Sequence, residues 1–160
     1  MNQKGIPMAD IPPASTADPY RAWLYAHLNK PLVDSPSAFA RWLGITLIAF
    51  DEEGVTVTCT VRPEMTNAAK VLQGGVIAAL MDEVMGMTVY VLSKGRYHAS
   101  VNLNVNYLAA GQIGDVVSAR SQVLRMGRRV VSINCTLHNT DGVLMAQATS
   151  NLIAANVEGA

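Results

Sequence analysis

Residues 67–93 read NAAKVLQGGVIAALMDEVMGMTVYVLS. From Gly74 to Ser93 the run is apolar apart from Asp82, Glu83 and three hydroxyl residues, and it holds no proline. Its composition predicts one long helix of about 30 Å. A stretch of this length is about long enough to cross a bilayer. Two adjacent carboxylates at its centre are expensive in hydrocarbon, so a helix buried in a globular domain is the better reading.

On both flanks the period changes to two. Upstream, Ile45, Leu47 and Ala49 alternate with Thr46, Ile48 and Phe50, and Asp51-Glu52-Glu53-Gly54 is a turn. Val55, Val57, Cys59 and Val61 then alternate with Thr56, Thr58, Thr60 and Arg62, and Pro63 closes the run. This pattern predicts an antiparallel hairpin with one buried face. Downstream, His98, Ser100, Asn102, Asn104 and Asn106 alternate with Ala99, Val101, Leu103, Val105 and Tyr107. Three further strands are expected at 116–124, 129–138 and 143–154, with Asn139-Thr140-Asp141-Gly142 as a tight turn. The order is two strands, a long helix, then four strands, which makes an α+β layer arrangement.

The N-terminal part reads differently. Residues 1–18 are rich in Pro, Ala and Ser and are expected to form a flexible lead. Asp18-Pro19 resembles an N-cap with proline in the first turn, and predicts a short helix to about Asn29. Ser35-Pro36 repeats the pattern before a second short helix that Gly44 ends. Residues 1–43 are therefore read as a lead with short helices, and residues 44–160 as the main domain.

Composition excludes several classes. The chain has 160 residues, half of them apolar, with 12 basic and 12 acidic side chains. A chain of this size buries enough surface to fold without disulfides or metal. A balanced charge gives no support for a nucleic-acid partner or a polybasic membrane role. Cys59 and Cys135 stand alone, without a CxxC pair, and are read as buried thiols. His27, His98 and His138 lack metal-ligand spacing. There is no GxSxG elbow, Walker loop or GxGxxG. The first 15 residues lack the apolar core of a signal peptide, so a cytoplasmic location without membrane insertion is expected.

Two features of the long helix bear on chemistry. Its first amides have no internal partners and sit at the positive end of the helix dipole. Beside Gly74-Gly75, where backbone is accessible, such an amide can stabilise an oxyanion, or the pair simply marks a tight junction. Asp82, among Leu80, Met81, Val84 and Met85, is either a general base or nucleophile or a carboxylate on the helix's wet edge. Asp82 follows Gly74 by eight residues, about 12 Å along the axis. One helix cannot bring both to one carbonyl group. If both act, they come from two subunits with antiparallel helices, and the site exists only in a dimer.

Asn67, then Gln73-Gly74-Gly75, then Asp82 and Gly86 resemble the signature of hotdog-fold acyl-CoA thioesterases of the phenylacetate-degradation type. Ser100-Val101-Asn102-Leu103-Asn104-Val105-Asn106-Tyr107-Leu108 is similar to that family's central strand. The resemblance covers roughly residues 44–155. It implies a hotdog fold, a long central helix wrapped by an antiparallel sheet, here preceded by short N-terminal helices. It implies hydrolysis of an acyl- or aryl-CoA thioester in a homodimer at least, with a tetramer suggested, and no cofactor. By the same resemblance, the amide of Gly74 would polarise the thioester carbonyl, while Asp82 of the other subunit would activate water or attack. Ser100 matches a position where some members of that family hold a Ser or Thr that helps orient the water, and Asn67 would sit near the thioester and leaving thiolate. Without the resemblance, Asn67 is a turn-former and Ser100 a strand filler.

Gln73 departs from the usual His of that pattern. Glutamine still donates and accepts hydrogen bonds but carries no proton near neutral pH. Gly75, Met81, Met85 and Gly86 are expected around the acyl group, with Tyr90 as a further boundary. Arg128 and Arg129, with Arg125, either hold the CoA phosphates or form a solvated hairpin tip. Hotdog dehydratases place a His before this helix, and none stands between Gly44 and Ser93. The other functional reading is a non-catalytic acyl-CoA or acyl-ligand binding protein on the same fold.

Overall fold

The computed structural model describes residues 18–155. The Pro-, Ala- and Ser-rich lead therefore falls, except for Asp18, outside the described residues. The elements follow in the order expected: α1 (Pro19–His27), α2 (Ala38–Leu43), β1 (Thr46–Phe50), β2 (Val55–Thr60), a 3-10 turn (Pro63–Met65), α3 (Gly74–Leu92), β3 (His98–Tyr107), β4 (Val116–Met126), β5 (Val130–His138) and β6 (Leu144–Ala154). The strands form one antiparallel sheet in the order β1-β2-β4-β5-β6-β3, so β3 is an edge strand.

The sheet curls around α3, whose residues Ile77, Leu80, Met81, Val84, Met85 and Val89 are buried. Opposite them lie Val57, Ala119, Ile133, Cys135 and Ala148, each an inward residue of an alternating strand. α3 has the length and hydropathy of a membrane span, but it packs against five strands of its own sheet. The Thr88 and Ser121 hydroxyls pair in this interior, and Ser121 also donates to the Val55 and Val84 carbonyls. These bonds satisfy polar groups that would otherwise be costly so deep in the core.

The N-terminal helices share this core. The Asp18 carboxylate accepts from the amides of Tyr20 and Arg21 and caps α1. Ser37, not Ser35, caps α2, and Gly44 at φ 67° ends it. Leu24, Leu32, Ala40 and Leu43 belong to the same buried cluster as the sheet residues.

Two bulges alter the alternation read from the sequence. In β1 the register shifts between Leu47 and Ala49, so Phe50 is buried while Ala49 is only partly covered. In β3 it shifts between Ser100 and Asn102. Below that bulge Leu103 and Val105 pack against the core. Above it, Ser100 faces α3. A bulge re-aims side chains in this way because one extra residue reverses the side of every residue beyond it.

Candidate active site

Asp82 lies on α3 beside a cleft of about 900 Å3. Ser100 donates to one oxygen of Asp82 at 2.8 Å. That contact depends on the β3 bulge. Strict alternation would put Ser100 on the face of Asn102, Asn104 and Asn106, away from Leu103. The bulge lets Ser100 and Leu103 both turn toward α3, and so supplies the carboxylate with a partner. The donated hydrogen bond fixes the Asp82 rotamer.

Four elements and one connecting segment wall the cleft. α3 contributes Asp82, Glu83, Gly86, Met87 and Tyr90. α1 and the segment before α2 contribute Tyr20, Trp23 and Ser35 to Ser37. The start of β3 contributes His98 and Ser100, with Leu152 of β6 behind them. Tyr20 and Tyr90 meet edge to face, with centroids 5.3 Å apart. The cleft is thus largely aromatic and aliphatic, with a few polar groups, the composition of a site for an organic ligand. Gly86 leaves it open: a Cβ there would meet no atom within 4 Å.

Met81 and Met85, expected beside the acyl group, have no exposure at all and point into the core. They and the cleft lie on different faces of α3, because residues 82, 83, 86, 87 and 90 follow the helical spacing that 81 and 85 do not share. Met87 is the methionine in the cleft. Glu83 and His98 also line it, although the sequence singled out neither for chemistry. Burial pushes the Glu83 carboxyl above the usual carboxylate range; a hydrogen bond from Ser37 opposes this and the neighbouring Asp82 charge reinforces it. His98 shares its Nδ1 with the Arg96 carbonyl at 2.9 Å, which leaves Nε2 toward other partners. A signal existed for Glu83. It is four residues before Met87 and three before Gly86, on one helix face.

The other predicted site residues cluster at the start of α3. Gln73 is its N-cap, and the Gln73 side-chain oxygen accepts from the Gly74 amide at 3.1 Å. The Tyr107 hydroxyl donates to the Gly74 carbonyl at 3.0 Å, and its ring lies against Gly74. Around Gly75 there is open space on the side of a would-be Cβ, apart from the Gln73 chain at 4.0 Å. Asn67 organises the loop before the helix, its side-chain oxygen accepting from the amides of Ala69 and Val71. One chain therefore brings Asp82, Ser100 and Gly86 together, and separately Asn67, Gln73, Gly74 and Gly75. It does not join the two groups. Arg128 and Arg129 are exposed in the turn between β4 and β5 and do not line this cleft. Both cysteines are buried, and Cys135 is pushed up to about 12 by burial, so neither is a ready nucleophile.

A six-stranded antiparallel sheet wrapped on one long helix is the hotdog architecture. Residues 69–146 match the model of the thioesterase superfamily. Human acyl-coenzyme A thioesterase 13 is 32% identical over 111 residues, which cover 68% of this chain and 79% of that one. The acyl-coenzyme A thioesterase PaaI of Escherichia coli is 27% identical over 142 residues, 88% of this chain and 97% of that one. The solved E. coli PaaI structure matches the fold with a TM-score of 0.75 at 24% identity, covering 86% of this chain and 95% of that one. A Streptococcus mutans protein solved with bound acetyl CoA matches at a TM-score of 0.66 and 23% identity, over 70% of this chain and 89% of that one. The chain belongs to the thioesterase superfamily, among the hotdog acyl-CoA thioesterases.

Proposed function

We propose that this chain hydrolyses an acyl- or aryl-CoA thioester to the free acid and CoA, with Asp82 as base or nucleophile. The observation that carries this reading is the Ser100–Asp82 hydrogen bond at the wall of a large apolar cleft. A carboxylate held there by one hydroxyl keeps further lone pairs free for a water molecule or for direct attack. The acyl group takes the cleft beside Gly86, Met87 and Tyr90. The Gly74 amide polarises the carbonyl, as a helix N-terminal donor aimed at a developing oxyanion does.

This chemistry needs two subunits. Gly74 and Asp82 are about 12 Å apart along one helix. The edge strand β3 offers a way to pair them. It is ten residues long, bonded on one side only, with Val101 and Tyr107 more than half exposed. Such an edge is a ready template for a second copy. Pairing β3 with its symmetry mate sets two α3 helices side by side and antiparallel, so that the Gly74 end of one passes Asp82 of the other.

A thiol-release assay over a panel of acyl-CoAs tests the reading. Wild type is expected to release CoA from at least one of them, and Asp82→Ala to lower kcat by about 10²–10⁴-fold while keeping its thermal melt. If no acyl-CoA is cleaved above the Asp82→Ala background, hydrolysis is wrong. The second reading, a non-catalytic acyl-ligand carrier, is favoured by one observation: Gln73 already holds the Gly74 amide. Tight acyl-CoA binding without turnover selects it.

A further inference from the structure

The geometry points to Glu83 as the general acid that protonates the departing sulfur, in the place that Gln73 cannot fill. This rests on the thioester-hydrolysis reading and names a catalytic group within it.

Glu83 and Asp82 line the same cleft from successive positions of α3. Glu83 has no cationic partner among the described ion pairs. Its hydrogen-bonding neighbour is Ser37, whose hydroxyl oxygen also accepts from the Ala40 amide as the cap of α2. A half-buried carboxyl without a cation, facing an apolar cleft, needs a reason to persist. Holding a proton removes the cost of a buried charge and provides a donor inside the site. Burial and the neighbouring Asp82 charge both push Glu83 in that direction. Two carboxyl groups side by side in different environments are the arrangement by which one site holds both a base and an acid.

The step balances without a co-reactant. Asp82 takes one proton from water as the water oxygen bonds to the thioester carbon. The carbon–sulfur bond breaks, its electron pair stays on sulfur, and sulfur takes the Glu83 proton. Asp82 then releases its proton to solvent, and Glu83 takes one back. Water and thioester become acid and thiol. The other titratable groups facing Glu83 across the cleft are Tyr20 of α1, Asp82 and Tyr90 of α3, and Tyr97 and His98 at the start of β3.

The test compares two thioesters with the same acyl group, one of CoA and one of 4-nitrothiophenol, whose thiolate leaves without a proton. For Glu83→Gln, the ratio of kcat on the CoA ester to kcat on the nitrothiophenyl ester is expected to fall at least tenfold. The alkaline limb of the wild-type kcat–pH profile should vanish with it, and Glu83→Asp should restore that limb. Ser37→Ala reads the same group with Glu83 in place. Ser37 stabilises the charged form, so its loss should move the alkaline limb to higher pH. Equal losses on both esters, or an alkaline limb unmoved by Glu83→Gln and Ser37→Ala, overturn the assignment while leaving hydrolysis intact. Cleavage of neither ester by wild type overturns both.

Discussion

At the residue scale, the start of α3 is where this chain departs from a simple thioesterase signature. Gln73 places its own oxygen 3.1 Å from the Gly74 amide, the proposed oxyanion donor. On that proposal, substrate displaces a hydrogen bond before it forms one. A net hydrogen bond contributes about 0.5–1.5 kcal/mol. Removing the competitor in Gln73→Ala is accordingly expected to raise kcat/KM by about two- to tenfold. A fall instead means that Gln73 serves the substrate, and steady-state kinetics on one acyl-CoA decides. The amide itself can be deleted cleanly. Gly74 is the first residue of α3, where proline is well tolerated and the missing N–H belongs to no helical bond. The preceding Gln73 has ψ 131°, the extended conformation that a following proline requires. Gly74→Pro should fold normally, as circular dichroism would report, and lose about 10²–10³-fold in kcat. An unchanged kcat removes Gly74 from the oxyanion role.

Element by element, the sequence was legible where one rule governs. The apolar run with glycines at its head and no proline gave α3 to within a residue. Alternation gave β2, and the Asn-to-Gly turn joined β5 to β6, with the Asn139 side chain capping it. Bulges were not legible, because an inserted residue leaves the composition of a strand unchanged. The β3 bulge mattered most, since it hands Ser100 to Asp82 against strict alternation. Met81 and Met85 misled for a related reason. An all-apolar helix shows no period by which to tell its core face from its cleft face, and only the carboxylates and Gly86 mark the latter. Gly86 then makes a test of that face. In a helix interior glycine costs roughly 0.5–1 kcal/mol against alanine. A Cβ at Gly86 meets open space, so Gly86→Ala should stabilise the fold by about that amount in thermal or urea melts. Gly86→Leu should fill part of the cleft and depress kcat/KM for long or aryl acyl groups more than for acetyl. A uniform effect across the acyl series would place the acyl group elsewhere.

For the whole molecule, the fold keeps the two groups assigned to the proposed site apart within one chain. α3 is rigid, packed on five strands, and it fixes Gly74 and Asp82 on one line. No loop movement can fold that line onto itself. The spacing was readable in the sequence, because helical rise alone sets it. The edge position of β3 was not readable, because alternation reveals strands and not their neighbours. If two copies build the site, each dimer has two equivalent centres, each combining Gly74 of one subunit with Asp82 of the other. Gly74→Pro and Asp82→Ala homodimers are then both inactive, for different reasons. In a mixed dimer one centre carries both defects and the other carries neither. Refolding the two inactive variants together in equal amounts gives half mixed dimers, each with one working centre of two. Activity should therefore return to about a quarter of the wild-type value per subunit, as binomial assortment in a two-fold dimer requires. If both groups act from the same chain, every centre keeps a defect and the mixture stays inactive. Thiol release from the co-refolded mixture, with each variant refolded alone as control, separates the two arrangements.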